Sequence, residues 1–417
     1  MVMKFIADFH LHSKYSRATS KEMNLDSLDK WAKIKGVKVL GTGDFTHPEW
    51  LKNLKEKLEP AEGGLFKIKN IDGGARFILT AEISCIYSKK GKVRKIHIII
   101  FAPSFEVVEK INTHLGWIGN LAADGRPILG LDAKELVKIV LNISENCLIV
   151  PAHIWTPWFS LFGSKSGFNS IEECFEDYSK YIFAGETGLS SDPAMNWRWS
   201  ALDKIALISN SDSHSPQKIC REANVFNIEL SYPAIVEAIK SKNPQKFLYT
   251  IEFFPEEGKY HYDGHRLCGI SLSPAESKKY NNICPTCGRP LTIGVLNRVE
   301  QLADRPNGFK PQGAIPFKSL IPLTEIIADV LNQTVVTVGV EKEYKNLIEK
   351  FSSEFEVLLN VPKEELEKAT LPEIAEGIIR VREGKVYIAP GYDGVFGKIS
   401  IFQKGEEKML SKQGTLF

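Results

Sequence analysis

The sequence predicts an α/β protein: a β/α barrel, then a small metal-binding module, then a helical C-terminal region. Three observations predict it. From residue 1 to about 250, apolar strand-like runs alternate with helical stretches, a length of alternation that suggests a parallel sheet closed into a barrel. Histidines and carboxylates recur at the ends of those runs. From about 251 the pattern changes to cysteine knuckles, and from about 316 to helices.

The elements follow in order. Lys4-Phe5-Ile6-Ala7 leads into Asp8-Phe9-His10-Leu11-His12, and Leu25 to Lys35 reads as a helix. The apolar positions Val37, Val39 and Leu40 precede Gly43-Asp44-Phe45-Thr46-His47. Glycine pairs at 63–64 and 73–74 mark a hairpin or loop. Phe77-Ile78-Leu79 precedes Glu82, and His97 lies inside the run Lys95 to Ile100. Ala133 to Leu141 is a second helix, and Cys147 to Val150 leads into His153. Phe183-Ala184-Gly185 precedes Glu186, and Ile205 to Ile208 precedes Asp212-Ser213-His214. Tyr232 to Lys240 is a third helix. The domains expected are a barrel over 1–250, a module over 251–310, a helical domain with a terminal hairpin over 311–400 and a tail over 401–417. Helices are expected at Leu320 to Leu331, Lys342 to Phe355 and Leu371 to Arg382.

Composition excludes some classes. With 43% hydrophobic residues in 417 the chain can bury a sizeable core, and no apolar run is long enough to span a bilayer. The N-terminus runs straight into a strand, so no secretory signal is expected. Seven scattered cysteines argue for a reducing, cytoplasmic setting. A net charge of +2 leaves polyanion contact to local patches.

His-x-His on a strand points two imidazoles the same way, because side chains alternate faces. Carboxylates and imidazoles gathered at barrel strand ends make a multinuclear metal site the leading reading. Glu82 is the natural bridging carboxylate; His10, His12 and Asp212 complete one ion, and His97 with His153 the second. His47 and Glu186 read equally well as hydrogen-bond partners behind a ligand. A second site is expected from His265-x2-Cys268 and Cys284-x2-Cys287, two knuckles fifteen residues apart, the spacing of a closed tetrahedral structural zinc. His261 competes with His265 for the fourth place, and a pair of free thiols is the alternative.

The series His10-x-His12, Asp44, Glu82, His97, His153 and Asp212-x-His214 resembles the polymerase and histidinol phosphatase (PHP) superfamily over residues 1 to about 250. The resemblance implies a distorted seven-stranded β/α barrel, a trinuclear metal site and phosphoester hydrolysis. The chain departs from the superfamily pattern in carrying Ser16-Arg17 where many members have Asp, and Asp44-Phe45 where many have Asp-His. A third ion would then draw on Asp44, His47 and His214. The Cys-Pro-Thr-Cys-Gly knuckle at 284–288, followed by Leu291 to Glu300 and Leu302-Ala303-Asp304-Arg305, is similar to the archaeal endonuclease Q family over essentially the whole chain.

That resemblance implies a metal-dependent DNA repair endonuclease. It would hydrolyse the phosphodiester 5′ to uracil, hypoxanthine, xanthine or an abasic site by metal-activated hydroxide, leaving a 3′-hydroxyl and a 5′-phosphate. Glu82, Asp212 and His153 would carry the chemistry. Zn2+ is the expected cofactor at the knuckles and at two or three barrel positions, with Mn2+ or Mg2+ as barrel alternatives. The partner would be damaged DNA, duplex or single-stranded. Trp155, Trp158, Phe159 and Phe162, directly after His153, would either wedge into or stack on DNA, or form an apolar lid. Lys92 and Arg94, in the basic run Lys89 to Lys95, would hold the phosphate backbone or sit on a solvated hairpin. Gln413, Leu416 and Phe417 resemble the start of a sliding-clamp-binding motif. The rival readings are a histidinol-phosphatase-like small-molecule phosphatase and a non-catalytic DNA-binding or polymerase-accessory protein.

Overall fold

In the computed structural model the described residues are 2–403 and 406; the clamp-like Gln413, Leu416 and Phe417 lie outside them. The chain is a mixed α/β fold built on one large mixed sheet. Its path runs Phe317–Ser319, Phe247–Glu252, Ala223–Glu229, Val2–Asp8, Val39–Gly41, Arg76–Lys89, Phe66–Ile68 and Leu58–Pro60. Lys92–Ala102 pairs with Arg76–Lys89 on one side and Leu148–Pro151 on the other. Ala184–Glu186 and Ala206–Ile208 form a separate parallel pair. Hydrogen bonds tie that pair into the succession: Ile154 N donates to Glu186 O at 3.0 Å, Ser213 N to His10 O at 3.4 Å and His12 N to Ser213 O at 3.0 Å.

The expectation of a parallel sheet is corrected at Ala223–Glu229 and at Lys92–Ala102, each of which runs antiparallel to both neighbours; at Lys92–Ala102 the reason lies in the preceding turn. The cause is local. Lys89 faces Lys92 across a two-residue turn in which Lys90 (φ 51°) and Gly91 (φ 73°) are both left-handed. Two positive φ values in a two-residue loop are the turn that matches strand twist and sends the chain straight back. The resulting hairpin is longer than any other strand pair among the described residues and extends past the rest of the sheet.

The helices lie against the sheet as their apolar spacing dictates. In Leu25–Lys35 the buried Leu25, Leu28 and Ala32 share one stripe; Asn24 caps the start by accepting from Ser27 N, and Gly36, at φ 79°, ends it. Further on, Leu323–Leu331 begins just after Pro322, and the single helix expected over 342–355 is split into Val338–Phe351 and Glu354–Leu359. Ser352, at φ 72°, stops the first, and Ser353 caps the second by accepting from Glu356 N. Glu354 is buried against the first helix. It pairs with Lys35 at 3.2 Å and accepts from Tyr344 Oη at 2.8 Å and Leu323 N at 3.1 Å, which ties the C-terminal helices to one another and to the helix Leu25–Lys35. The terminal hairpin, Tyr387–Ala389 with Lys398–Ser400, forms as expected. No helix among the described residues is long and apolar enough to cross a membrane.

Candidate metal centre

Two strands and four strand-end turns build the centre. Glu82 is in mid-strand rather than at a strand end, because the hairpin continues seven residues beyond it to Lys89. Glu82 faces Ile99, and Ser84 faces His97, so Glu82 and His97 project from one face of the hairpin, one pair apart. His10 and His12 follow Val2–Asp8, and Leu11 bridges to Ser213, which brings Asp212 alongside. Three residues of the site are non-glycine and left-handed: Asp44 at φ 50°, His153 at φ 28° and Asp212 at φ 47°. Such backbone persists where surrounding structure enforces it, and it gathers at functional sites.

The side chains converge on two points. His10, His12, Glu82 and Asp212 each offer a ligand atom within 4.8 Å of the others, and so do Glu82, His97 and His153. Glu82 belongs to both groups. At the first point His12 Nε2 stands 3.0 Å from Asp212 Oδ1 and 3.2 Å from Glu82 Oε2; His10 Nε2 stands 3.6 and 3.5 Å from the same atoms. Yet His10 Nε2, His12 Nε2 and Asp212 Oδ1 are buried with no hydrogen-bond partner among the described residues. They approach one another without hydrogen-bond geometry, as atoms facing a common centre do. A buried polar atom left so is costly, and a cation at that centre satisfies all three. At the second point His97 Nδ1 is 2.7 Å and His153 Nε2 3.2 Å from Glu82 Oε1.

The electrostatics agree with the geometry. Burial opposes charge on His10 and His12, but the carboxylates around them outweigh it and raise both well above the usual imidazole value: Glu186, Asp212 and Glu82 for His10, Asp44, Asp212 and Glu82 for His12. Glu82 is held well below the usual carboxylate range, against its burial, by His97, Arg126 and His10. His97 is pushed down to about 4 by burial, its pairing with Glu82 notwithstanding. A field that favours two protonated imidazoles equally favours a divalent cation between them. Imidazole with carboxylate suits Zn2+ or Mn2+ better than Mg2+.

Asp44, His47, Glu186 and His214 stand outside both convergent groups. Asp44 Oδ1 takes His12 Nδ1 at 3.0 Å, and its Oδ2 accepts from Ser13 N, Ser13 Oγ and Ser16 Oγ at 2.6, 2.7 and 2.9 Å. Ser16 is thus spent on Asp44. Glu186 grips His10 Nδ1 at 3.0 and 3.1 Å and accepts from His153 N at 2.8 Å and Asn210 Nδ2 at 2.9 Å. His47 is stacked by Tyr15 at 4.4 Å between ring centroids, and His214 Nδ1 bonds Asp212 O at 2.9 Å. Asp44→Asn should therefore weaken metal binding about 10–100-fold rather than abolish it. Titration of the apo chain with Zn2+ checks this; complete loss of one ion would make Asp44 a ligand.

Sequence reasoning missed Arg126. Its Nη1 donates to Glu82 Oε2 at 2.9 Å, placing a guanidinium directly at the shared carboxylate. It follows a loop with no recognisable motif, so no sequence signal pointed to it.

The second cluster comprises His265, Cys268, Cys284 and Cys287, with Cys287 Sγ 3.6 Å from His265 Nδ1. Burial pushes the Cys284 thiol up, but backbone N–H groups of Cys287 and Thr286 bring it below its ordinary value. His261, the competing histidine, is elsewhere: buried and pushed down to about 4, it lines a cavity of about 580 Å³ with Trp158, Phe253, Tyr260 and Phe396.

The aromatic loop divides. Trp155, expected on the DNA face, is corrected: it is 1% exposed, packs on Phe162 and donates Nε1–H to Asn196 Oδ1 at 2.7 Å, so it cannot stack on a base. Phe162 is likewise core. Phe159 covers the centre: its ring is 4.8 Å from His97 and its carbonyl accepts from His97 N at 3.1 Å. Trp158 is 43% exposed at the cavity. Arg94 donates to Gly167 O and lies over Phe168, which leaves Lys92 as the exposed cation of that pair. Trp158→Ala should weaken binding to lesion DNA by about 1–3 kcal/mol if its ring stacks on a base. Fluorescence anisotropy checks this, and unchanged affinity would leave Trp158 a wall of the cavity only.

Fold and site together define a mixed α/β protein with a buried histidine–carboxylate centre. Over 98% of its length the chain matches the lesion-specific endonuclease Q of Pyrococcus furiosus, with TM-score 0.86, 31% identity and 99% of that chain covered. It matches an endonuclease Q in complex with a 27-mer duplex carrying an abasic lesion at the active site with TM-score 0.84 and 31% identity, 98% of each chain covered. The chain belongs to the endonuclease Q family. Residues 322–385 match the MJ0043 C-terminal domain. The Methanocaldococcus jannaschii protein MJ0043 is 36% identical over 258 residues, 59% of this chain, and the match spans 31% of that protein's length. Bacillus subtilis YqxK is 28% identical over 95% of this chain and 99% of its own.

Proposed function

We propose that this chain is a metal-dependent endonuclease that cuts DNA on the 5′ side of deaminated bases or abasic sites. The observation that carries the reading is the set of buried, unpartnered atoms His10 Nε2, His12 Nε2 and Asp212 Oδ1 converging beside Glu82. Residues 1–250 act as the distorted seven-stranded catalytic barrel, 251–310 as a zinc module and 311–400 as a helical domain. His10, His12 and Asp212 would hold one ion and His97 with His153 a second, with Glu82 able to contribute an oxygen to each. Zn2+ is the ion proposed, with Mn2+ or Mg2+ as alternatives in the barrel. Two such ions supply Lewis acidity on both the attacking and the leaving side of a phosphodiester.

The chain's own residues do the rest. Asp44 and Glu186 fix the rings of His12 and His10 by holding their Nδ1 atoms. Arg126 places positive charge beside the carboxylate, where the phosphate's oxygens would gather. Phe159, over His97, keeps water out on one side. Water adds to phosphorus, the bond to O3′ breaks, and O3′ leaves with a proton, giving a 3′-hydroxyl and a 5′-phosphate. The cavity beside Trp158 and Tyr260 is large enough for an extrahelical nucleotide, the form in which an altered base is read. The test sets nicking of uracil, hypoxanthine, xanthine and abasic duplexes against phosphate release from histidinol phosphate. Turnover of the phosphomonoester alone would make the chain a small-molecule phosphatase.

A further inference from the structure

A third barrel ion, expected on Asp44, His47 and His214, would need a free oxygen on Asp44. A carboxylate offers about four lone-pair sites. Those of Asp44 meet four donors: His12 Nδ1 at 3.0 Å, Ser13 N at 2.6 Å, Ser13 Oγ at 2.7 Å and Ser16 Oγ at 2.9 Å. Gly125 seals the same side. Its backbone lies so close that a β-carbon there would collide with Asp44 Oδ2 and Ser16 Oγ. Gly125 is held at both ends, its N donating to Tyr15 O at 3.1 Å and its O accepting from Thr46 Oγ1 at 3.3 Å. His47 Nδ1 is buried without a hydrogen-bond partner, but one imidazole does not hold an ion alone. Among the described residues neither His47 nor His214 joins Asp44 in a convergent group. The residues present do not fit a third ion.

The segment that closes Asp44 also delivers a charge. Asp124 Oδ1 accepts from Arg17 N at 3.3 Å and from Arg126 N at 3.1 Å, which lays residues 124–126 along the turn after His12. Arg126 Nη1 then reaches Glu82 Oε2 at 2.9 Å, the oxygen that stands 3.2 Å from His12 Nε2. Glu82 above all, and then Asp212, keeps the guanidinium charged against its burial. The Arg126 side chain is 28% exposed, while Glu82 is wholly buried, so the guanidinium stands on the open side of the shared carboxylate. A guanidinium fork can bind a carboxylate with one arm and a phosphate oxygen with another.

We propose that Arg126 replaces a third barrel ion: residues 124–126 close Asp44 to metal and set the guanidinium beside Glu82, where it holds a non-bridging oxygen of the phosphate being cut. The centre then takes two ions and one fixed cation. Unlike an ion, that cation is not removed by chelation, and its charge does not vary with pH. The proposal rests on the metal-dependent endonuclease reading and deepens it, adding the number of ions and a residue that touches the substrate.

The experiment loads the full chain with Zn2+, removes the excess and counts bound zinc by plasma emission, beside steady-state nicking of an abasic duplex. The parent should hold one ion for each of the three convergent groups, and Cys284→Ser one fewer. Arg126→Ala should keep the parental zinc content and melting temperature and lose about 10²-fold in kcat, with a smaller change in KM. Free guanidinium should restore part of that loss, and Arg126→Lys should fall between the parent and the Ala variant. A fourth ion in the parent would overturn the proposal. So would parental kcat in Arg126→Ala, a loss of kcat that accompanies loss of an ion, or a loss that neither guanidinium nor Lys relieves. A parent that holds the knuckle zinc alone would instead sink the metal-dependent reading itself, a result distinct from a fourth ion.

Discussion

Glu82→Ala should lower nicking by roughly 10²–10³-fold or more, with the chain still folded and still able to bind duplex DNA. Glu82 is the residue common to both convergent groups, so its loss strips an oxygen from each point at once. It also leaves His10, His12, His97 and Arg126 facing one another without the carboxylate that balances them. Asp212→Asn is the gentler companion. It keeps shape and replaces one charged oxygen, the Oδ1 that stands between His10 and His12. Neither side chain supports the sheet, whose packing is supplied by separate apolar residues such as Phe9, Leu79 and Ile100. Full nicking by either variant would remove the proposed centre from the chemistry.

The second large effect is at the other cluster. Cys284→Ser should lower zinc stoichiometry by one and loosen residues 251–310, because metal-binding free energy in such a module is folding free energy. The damage should travel. His265 ends the strand Asp263–His265, Asp263 accepts from Gly294 N at 2.7 Å and from Asn297 Nδ2 at 2.5 Å, and so holds the helix Val295–Leu302. The next residue, Arg298, donates to Phe162 O at 2.9 Å, Phe168 O at 3.0 Å and Asn169 Oδ1 at 2.7 Å, which fastens the loop covering the centre. Hydrogen exchange should therefore rise in 260–300 and in 154–169 together, with nicking reduced. A variant that keeps its zinc and its melting temperature would show the cluster misread.

Local patterns were legible in the sequence; long-range assembly was less so. The caps and apolar stripe of Leu25–Lys35 are short-range features, and its bounds were readable to the residue. The His-x-His pair and the Cys-x2-Cys knuckle were likewise readable, because strand alternation and knuckle spacing are local. Glu82 was taken for a strand-end residue because the apolar run before it, Phe77-Ile78-Leu79, stops at Leu79; only the pairing with Lys92–Ala102 reveals that the strand runs on. Trp155 and Trp158 look equivalent in the sequence, and their separation into core and surface depends on Asn196 and Phe162. The position of Arg126 follows from how the 117–128 loop crosses the hairpin, which no periodicity records.

The most direct test is to map the cut. A duplex with one abasic site or uracil, labelled at its 5′ end, is incubated with the zinc- or manganese-loaded chain and resolved beside a sequence ladder. The account predicts a single break at the phosphodiester 5′ to the lesion, a 3′-hydroxyl end that a polymerase extends, and no break with chelator or with Asp212→Asn. Breaks in the undamaged duplex at the same rate, breaks on the 3′ side, or cutting that survives chelation would contradict it.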